Sequence, residues 1–181
     1  MEKYQGYHFP DQHADEKIMR IVHRHWFVIL FQFFFILFAV VLIAGSFFLL
    51  ESLFPGTVKS LGKEIVRFLE TTFLLFIWFY AFLVWIDYYL DTWIITNERI
   101  INIEQKGLFS REISELRLEN IQDVTTEVGG FLPTILNFGY VYIQTAAERE
   151  RFIFEQVPDP YTIKNLAMQL SEKAKACAPR G

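Results

Sequence analysis

From Trp26 to Leu50 the chain runs for twenty-five residues without one Asp, Glu, Lys or Arg. A helix needs only about 20 apolar residues to cross the hydrocarbon layer of a bilayer, so this run is long enough to span. A secretory signal is the competing reading, but its apolar region is usually about 7 to 15 residues and ends in small residues. Here the run closes on the bulky Phe47-Phe48-Leu49-Leu50.

A second apolar run follows, charge-free from Thr71 to Ile86 and bounded by Glu70 and Asp87. Extended back through Ile65, Phe68 and Leu69 and forward to Leu90, it also reaches across, with Arg67 and Glu70 near one end where a charge can meet the interface. Phe73 to Trp85 is apolar all round and lacks the polar face of a helix lying in the interface. Trp78, Tyr80 and Trp85 suit a membrane helix, and Trp26, Trp93 and Tyr88-Tyr89 stand where interfacial aromatic belts occur. Between the runs, Glu51 to Glu64 contains the turn signal Phe54-Pro55-Gly56, which makes the two helices antiparallel neighbours with both termini on one side. Lys3, Lys17, Arg20, Arg24, Arg99 and Lys106 flank the hairpin ends, against Lys59, Lys63 and Arg67 near the loop, and this excess places the termini in the cytoplasm.

Composition agrees with two environments. Hydrophobic residues make up 52% of the 181, including twenty Phe, more than one soluble core of this size uses. Beyond Leu90, charges mix with short apolar runs. That part is acidic and contributes to a net charge of −4, which argues against a nucleic-acid partner or a strongly anionic lipid surface. Cys177 is the only cysteine, so neither an intramolecular disulfide nor a thiolate metal cluster can form.

The acidic part reads as an antiparallel β domain. Asp91 to Thr96, Ile100 to Gln105, Leu108 to Ser114 and Ile121 to Val128 are strand candidates, separated by turns at Asn97-Glu98-Arg99 and Lys106-Gly107. Gly129-Gly130 breaks the chain, and Phe131 to Asn137 is a helical turn or a loop. Tyr140 to Thr145 and Arg151 to Gln156 form a hairpin across Ala146 to Glu150. Asp159 then caps a helix with Pro160 at its start and Ile163, Leu166, Ala167 and Leu170 as its apolar stripe. Six or so strands with one such helix predict a small sheet curled into an open barrel, plugged at one end.

Read in order, Trp93-Ile94-Ile95-Thr96-Asn97-Glu98-Arg99-Ile100, Lys106-Gly107-Leu108-Phe109, Ile121-Gln122-Asp123-Val124, Phe138-Gly139-Tyr140-Val141 and Val157-Pro158-Asp159-Pro160 resemble the bacterial pleckstrin-homology (PH) domain family, in its YdbS-like membrane-bound branch. The resemblance covers about Asp91 to Leu170, and Arg24-His25-Trp26 before the first apolar run also looks like that branch. It implies an α+β membrane protein: a two-helix transmembrane hairpin followed by a PH-like split β-barrel of seven strands with a C-terminal helix. That is one strand more than the pattern places. It implies no shared enzymatic activity. The expected divisions are an N-terminal flank at 1–25, spans at 26–50 and 65–90 around a connecting loop at 51–64, the PH-like domain at 91–176 and a tail at 177–181.

Candidate sites are few. His8, His13, His23 and His25 lie close together, and His23 and His25 could share a metal with an upstream His or Asp11, but an i, i+2 pair diverges on a helix and no acidic cluster is fixed beside it, so no metal and no cofactor is expected. Lys106 and Arg111 flank a turn as basic residues do where eukaryotic PH domains receive inositol phosphates; Glu104, Glu112 and Glu115 nearby leave the local field mixed. Phe131, Leu132 and Ile135 belong to an apolar stretch that can meet the bilayer or a partner, or seal the barrel. The alternation from Tyr140 to Ile143 sends Val141 and Ile143 to the core and leaves Tyr140 and Tyr142 as a contact surface. No nucleophile and base, paired carboxylates or phosphate-cradling loop is recognisable.

The expectation is a non-enzymatic, membrane-anchored interaction or scaffold module, multi-pass in a bacterial cytoplasmic membrane with its PH-like domain in the cytoplasm. Its expected partners are the lipid bilayer, a second membrane protein or copies of itself. Two rivals remain: a subunit of an oligomeric transport or export assembly, and an anionic-lipid-sensing domain.

Overall fold

The computed structural model describes residues 12–13, 15–53, 56, 62–145 and 152–177. They fall into two compact units, residues 26–88 and the combination of 1–25 with 89–181.

The first unit holds two helices, α1 (Trp26–Leu53) and α2 (Lys63–Leu90), of 28 residues each. Both are long and apolar enough to cross a membrane. Their large side chains, among them Phe34, Leu37, Val41, Leu75, Phe76 and Trp78, are exposed, whereas a helix from a soluble core would bury such a stripe. Three hydroxyls in these runs close hydrogen bonds on their own helix: Ser46 donates to the Ile43 carbonyl, Thr71 to that of Arg67 and Thr72 to that of Phe68. Glu51 and Lys63 pair at 3.1 Å where the helices approach their connection; Phe54 and Pro55 of the expected turn lie outside the described residues.

The second unit is the β domain, and it begins before the helices. Ile18–His23 forms β1 and pairs antiparallel with β2 (Thr92–Thr96), with Val22 opposite Trp93 and His23 opposite Thr92. β3 (Arg99–Lys106) and β4 (Ser110–Arg117) complete a four-stranded sheet in the order β1-β2-β3-β4. A short helical turn, Leu118–Asn120, leads to β5 (Ile121–Glu127), which pairs with β6 (Phe138–Thr145), which pairs with β7 (Phe152–Pro158). Between β5 and β6 lies α3 (Phe131–Leu136), and α4 (Pro160–Cys177) closes the chain.

Three expectations change. The flank at 1–25 and the domain at 91–176 are one unit, because β1 is the seventh strand and lies upstream of the hairpin. Leu108 and Phe109 do not start a strand: the β3–β4 ladder ends at Lys106 opposite Ser110, so Gly107 to Phe109 are the turn, with Gly107 at a φ of 71°. The strands form a four-stranded and a three-stranded sheet, and among the described residues no ladder joins them into a closed barrel.

A main core holds the domain, with a smaller cluster of Ile94 and Ile101, packed by Ile18 and Ile103, apart from it. Val22, Trp93, Ile95, Ile100, Leu116, Leu118, Ile121, Val124, Val141, Ile143, Phe154 and Val157 meet Ile163, Ala167 and Leu170 of α4. The α4 stripe is the expected one. Its cap is also: hydrogen bonds led by that with the Thr162 side chain hold the Asp159 carboxyl below its usual pKa, as the anionic oxygen of a helix cap requires. Gly139 is obligatory for a different reason. A Cβ there would stand 2.5 Å from the Glu127 carbonyl oxygen, where β5 and β6 approach closely.

Candidate functional site

β1 and β2 are neighbours in the sheet although His23 and Thr92 are 69 positions apart. The chain leaves the end of the sheet after His23 and returns to it at Asp91. That end is the helix-bearing pole of the domain, and three contacts organise it. Arg24 bridges Asp91 at 2.9 Å and Glu155 at 2.8 Å. Asp91, itself buried, also accepts the Gln105 backbone N–H at 2.9 Å. The His25 backbone N–H donates to the Gln156 carbonyl, and its ring stacks on Phe138 with 4.9 Å between centroids. Burial holds the His25 ring below its usual pKa, so it is neutral at pH 7. This pole therefore gathers the end of β1, the start of β2, the end of β3, the start of β6 and the end of β7.

The opposite end of the four-stranded sheet carries a second clasp. Arg99 donates through Nε and Nη2 to the two Glu16 oxygens, each at 3.0 Å, and through Nη1 to Glu115 at 2.6 Å. The Glu16 side chain is fully buried. Burial alone would raise its pKa; hydrogen bonds, first that from Arg99, and the Arg99 charge outweigh this and hold it below the ordinary value. Asn97 ties in the preceding segment by accepting from the Lys17 N–H through Oδ1 and donating its own N–H to the Lys17 carbonyl. A polar cleft of about 430 Å³ opens beside this clasp, lined by His13, Asn97, Glu98, Arg99, Glu115, Arg117, Glu119 and Ala174. Ligand atoms of His13, Glu16 and Glu98 lie within 4.8 Å of one another. Both Glu16 oxygens are engaged by a guanidinium, whose charge opposes a cation there, so the group reads as an ionic clasp.

The residues singled out from sequence separate into distinct places. His23 lies beside the Thr92 hydroxyl and His25 beside Phe138, so the two rings do not converge; His8 and Asp11 are outside the described residues. Arg111 is exposed opposite Gln105, and Glu104 faces Glu112 one pair further along; the Lys106 side chain is outside the described part. Val141 and Ile143 are fully buried, while Tyr140 and Tyr142 stay half-buried with rings 6.2 Å apart. Phe131, Leu132 and Ile135 share the exposed face of α3, with Phe131 79% exposed.

Sequence reasoning missed Phe109, which is 99% exposed at the β3–β4 tip. The signal was the adjacent Lys106-Gly107 turn, which leaves Phe109 too few positions to re-enter a strand. It also missed Arg24, Glu16 and Arg99 as a pair of clasps. Nothing local marks a partner 83 positions away.

A family model described as Bacterial PH domain matches residues 27–171, spanning both helices and every strand after β1. No curated protein matches the chain. Among solved structures, the crystal structure of a DUF1696 family protein with a pleckstrin-homology domain from Shewanella loihica PV-4 is similar at 16% identity. The alignment covers 45% of this chain and 70% of that one, with a TM-score of 0.38.

Proposed function

Because the chain belongs to the bacterial PH domain family, we propose that it is a membrane-anchored interaction module whose helical hairpin crosses a bacterial cytoplasmic membrane and holds the β domain at the cytoplasmic face. PH domains are generally non-catalytic binding modules, and no family of enzymes is indicated. The observation that carries the reading is the insertion of α1 and α2 between two hydrogen-bonded strands. A hairpin that leaves and re-enters one end of one sheet has both its ends on the same side of whatever it crosses. Two crossings satisfy that condition, and the exposed apolar surface of both helices supplies the solvent match.

The partner in this reading is a second membrane protein or a second copy of the chain. A groove on the hairpin lined by Phe33, Trp78, Ala81, Phe82 and Trp85 supports it, since the small Ala81 between aromatic walls lets another helix approach closely. Tyr140 and Tyr142 offer the domain a contact surface of the kind interfaces favour.

The test is extraction of the intact protein from its native membrane in mild detergent, followed by mass measurement of everything that stays bound. A defined homo-oligomer or hetero-complex that dissociates on substituting Tyr140 and Tyr142, or Ala81→Leu, supports the module. Recovery of the protein in the soluble fraction after an alkaline wash of membranes sinks the anchoring. A strict monomer retaining only lipid sinks the partner reading.

A further inference from the structure

The helix-bearing pole carries more than the ends of the helices. In the antiparallel sheet, Thr92 stands opposite Ile103, yet β3 continues to Lys106 and the turn lies beyond it. Three further residues of strand extend about 10 Å. The Leu108-Phe109 tip therefore projects past the level at which β2 begins, in the direction from which the chain returns to the sheet. The hydrogen bond from Gln105 to Asp91 confirms the alignment, since it holds the end of β3 beside the residue that follows Leu90.

The three-stranded sheet places α3 at the same pole. The His25 backbone bonds to Gln156 near the end of β7, and its ring stacks on Phe138 at the start of β6. α3 is the connection that ends at Phe138. Its Phe131, Leu132 and Ile135 are spaced i, i+1 and i+4, one face of a helix, and all are exposed. Two apolar protrusions from different sheets thus flank the place where the chain leaves and returns. The opposite end of the four-stranded sheet is lined by charged groups and Asn97.

We propose that this pole is a membrane-docking face, in which the β3–β4 tip and α3 insert Leu108, Phe109, Phe131, Leu132 and Ile135 into the interfacial layer of the leaflet the hairpin enters. The inference deepens the anchoring reading and rests on it. The occupant is the bilayer, because register and hydrogen bonding place both protrusions at the end of the domain where the apolar helices begin and end. Exposed Tyr89, in the last turn of α2 two positions before Asp91, is of the residue type that settles in that layer. The consequence is mechanical. A domain held at the hairpin and at two wedges keeps one orientation and presents the polar cleft around Arg99 away from the lipid.

The test uses the full chain in liposomes on a Cys177→Ser background, with an environment-sensitive fluorophore attached at Phe109→Cys, Phe131→Cys or Ile135→Cys. These positions are exposed, so a label there displaces no packed neighbour, and thermal unfolding of each variant checks this. Leu37→Cys in mid-α1 and Glu119→Cys, exposed beside the polar cleft at the opposite pole, serve as references. The expected result is blue-shifted emission at 109, 131 and 135 that loses most of its intensity in brominated lipid, with 37 quenched and 119 unaffected. Unquenched labels at 109, 131 and 135 beside a quenched 37 overturn the docking face and leave the anchor standing; a blue shift without quenching has the same meaning and points to a protein cover. An unquenched 37 overturns the anchor and the docking face together.

Discussion

The two ends of the β domain use one device in two settings. At each, an arginine is held between two carboxylates, and one of the three groups comes from the segment before the hairpin: Arg24, which binds Asp91 and Glu155, and Glu16, which shares Arg99 with Glu115. Each clasp ties β1 to strands that follow the hairpin. Their surroundings differ. Around Arg99 lie charges and a polar cleft, whereas around Arg24 lie a stacked neutral histidine and two apolar protrusions. The shared part of the design holds an upstream strand in a downstream sheet; the part that differs is what the docking proposal rests on.

The most damaging test of that comparison is Arg99→Ala. It strands the fully buried Glu16 carboxylate, and breaking a buried pair in this way costs about 3–5 kcal/mol, seen as a large drop in the thermal midpoint of detergent-solubilised protein. Arg24→Ala should cost less, about 1–3 kcal/mol, because Asp91 keeps the Gln105 N–H and Glu155 is partly solvated. A larger loss at Arg24 than at Arg99 would invert the ranking of the clasps. Gly139→Ala belongs in the same range, about 1–3 kcal/mol, because the added Cβ meets the Glu127 carbonyl backbone, which cannot swing aside.

Acid sharpens the contrast further. His25 has a folded pKa below its ordinary 6.5, so the unfolded chain binds the proton first and stability falls as pH drops below about 6.5. Glu16 also has a lowered folded pKa; its contribution is present above its ordinary 4.5 and is lost as pH falls through that value toward the folded one. Thermal midpoints taken from pH 7.5 to 3.5 should decline in two stages. His25→Phe, which keeps the stack on Phe138, should remove the upper stage alone, and an unchanged upper stage would assign it elsewhere. The smallest effect on stability is expected at Phe109→Ser, within about 0.5 kcal/mol in detergent, since an exposed side chain loses no packing. Its effect should appear only in lipid, as faster tryptic cleavage at Arg111 in liposomes.

Much of this was legible in one dimension. The two long apolar helices are read from length without charge. β2 to β7 follow from alternation and turn residues, and the α4 cap from Asp159-Pro160. Two readings fell short for identifiable reasons. Ile18 to His23 is a six-residue strand whose burial pattern is uneven and whose ladder partner among the described residues begins 69 positions further along the chain, so local pattern could not recruit it. Leu108 and Phe109 are β-favouring residues, and their composition argued for a strand while the turn geometry at Gly107 put them outside it.

What the sequence determined alone is the character of each segment: two charge-free runs long and apolar enough to span, alternating strands for a two-faced sheet, an amphipathic helix for a core. These depend on neighbours within a few residues, where periodicity is set by backbone geometry. Tertiary structure decided the rest. That β1 joins a sheet across the hairpin, that Glu16 meets Arg99, and that the β3–β4 tip and α3 share the pole of Arg24 are all matters of pairing between distant segments. Register and hydrogen bonding settle such pairings only once the strands are side by side.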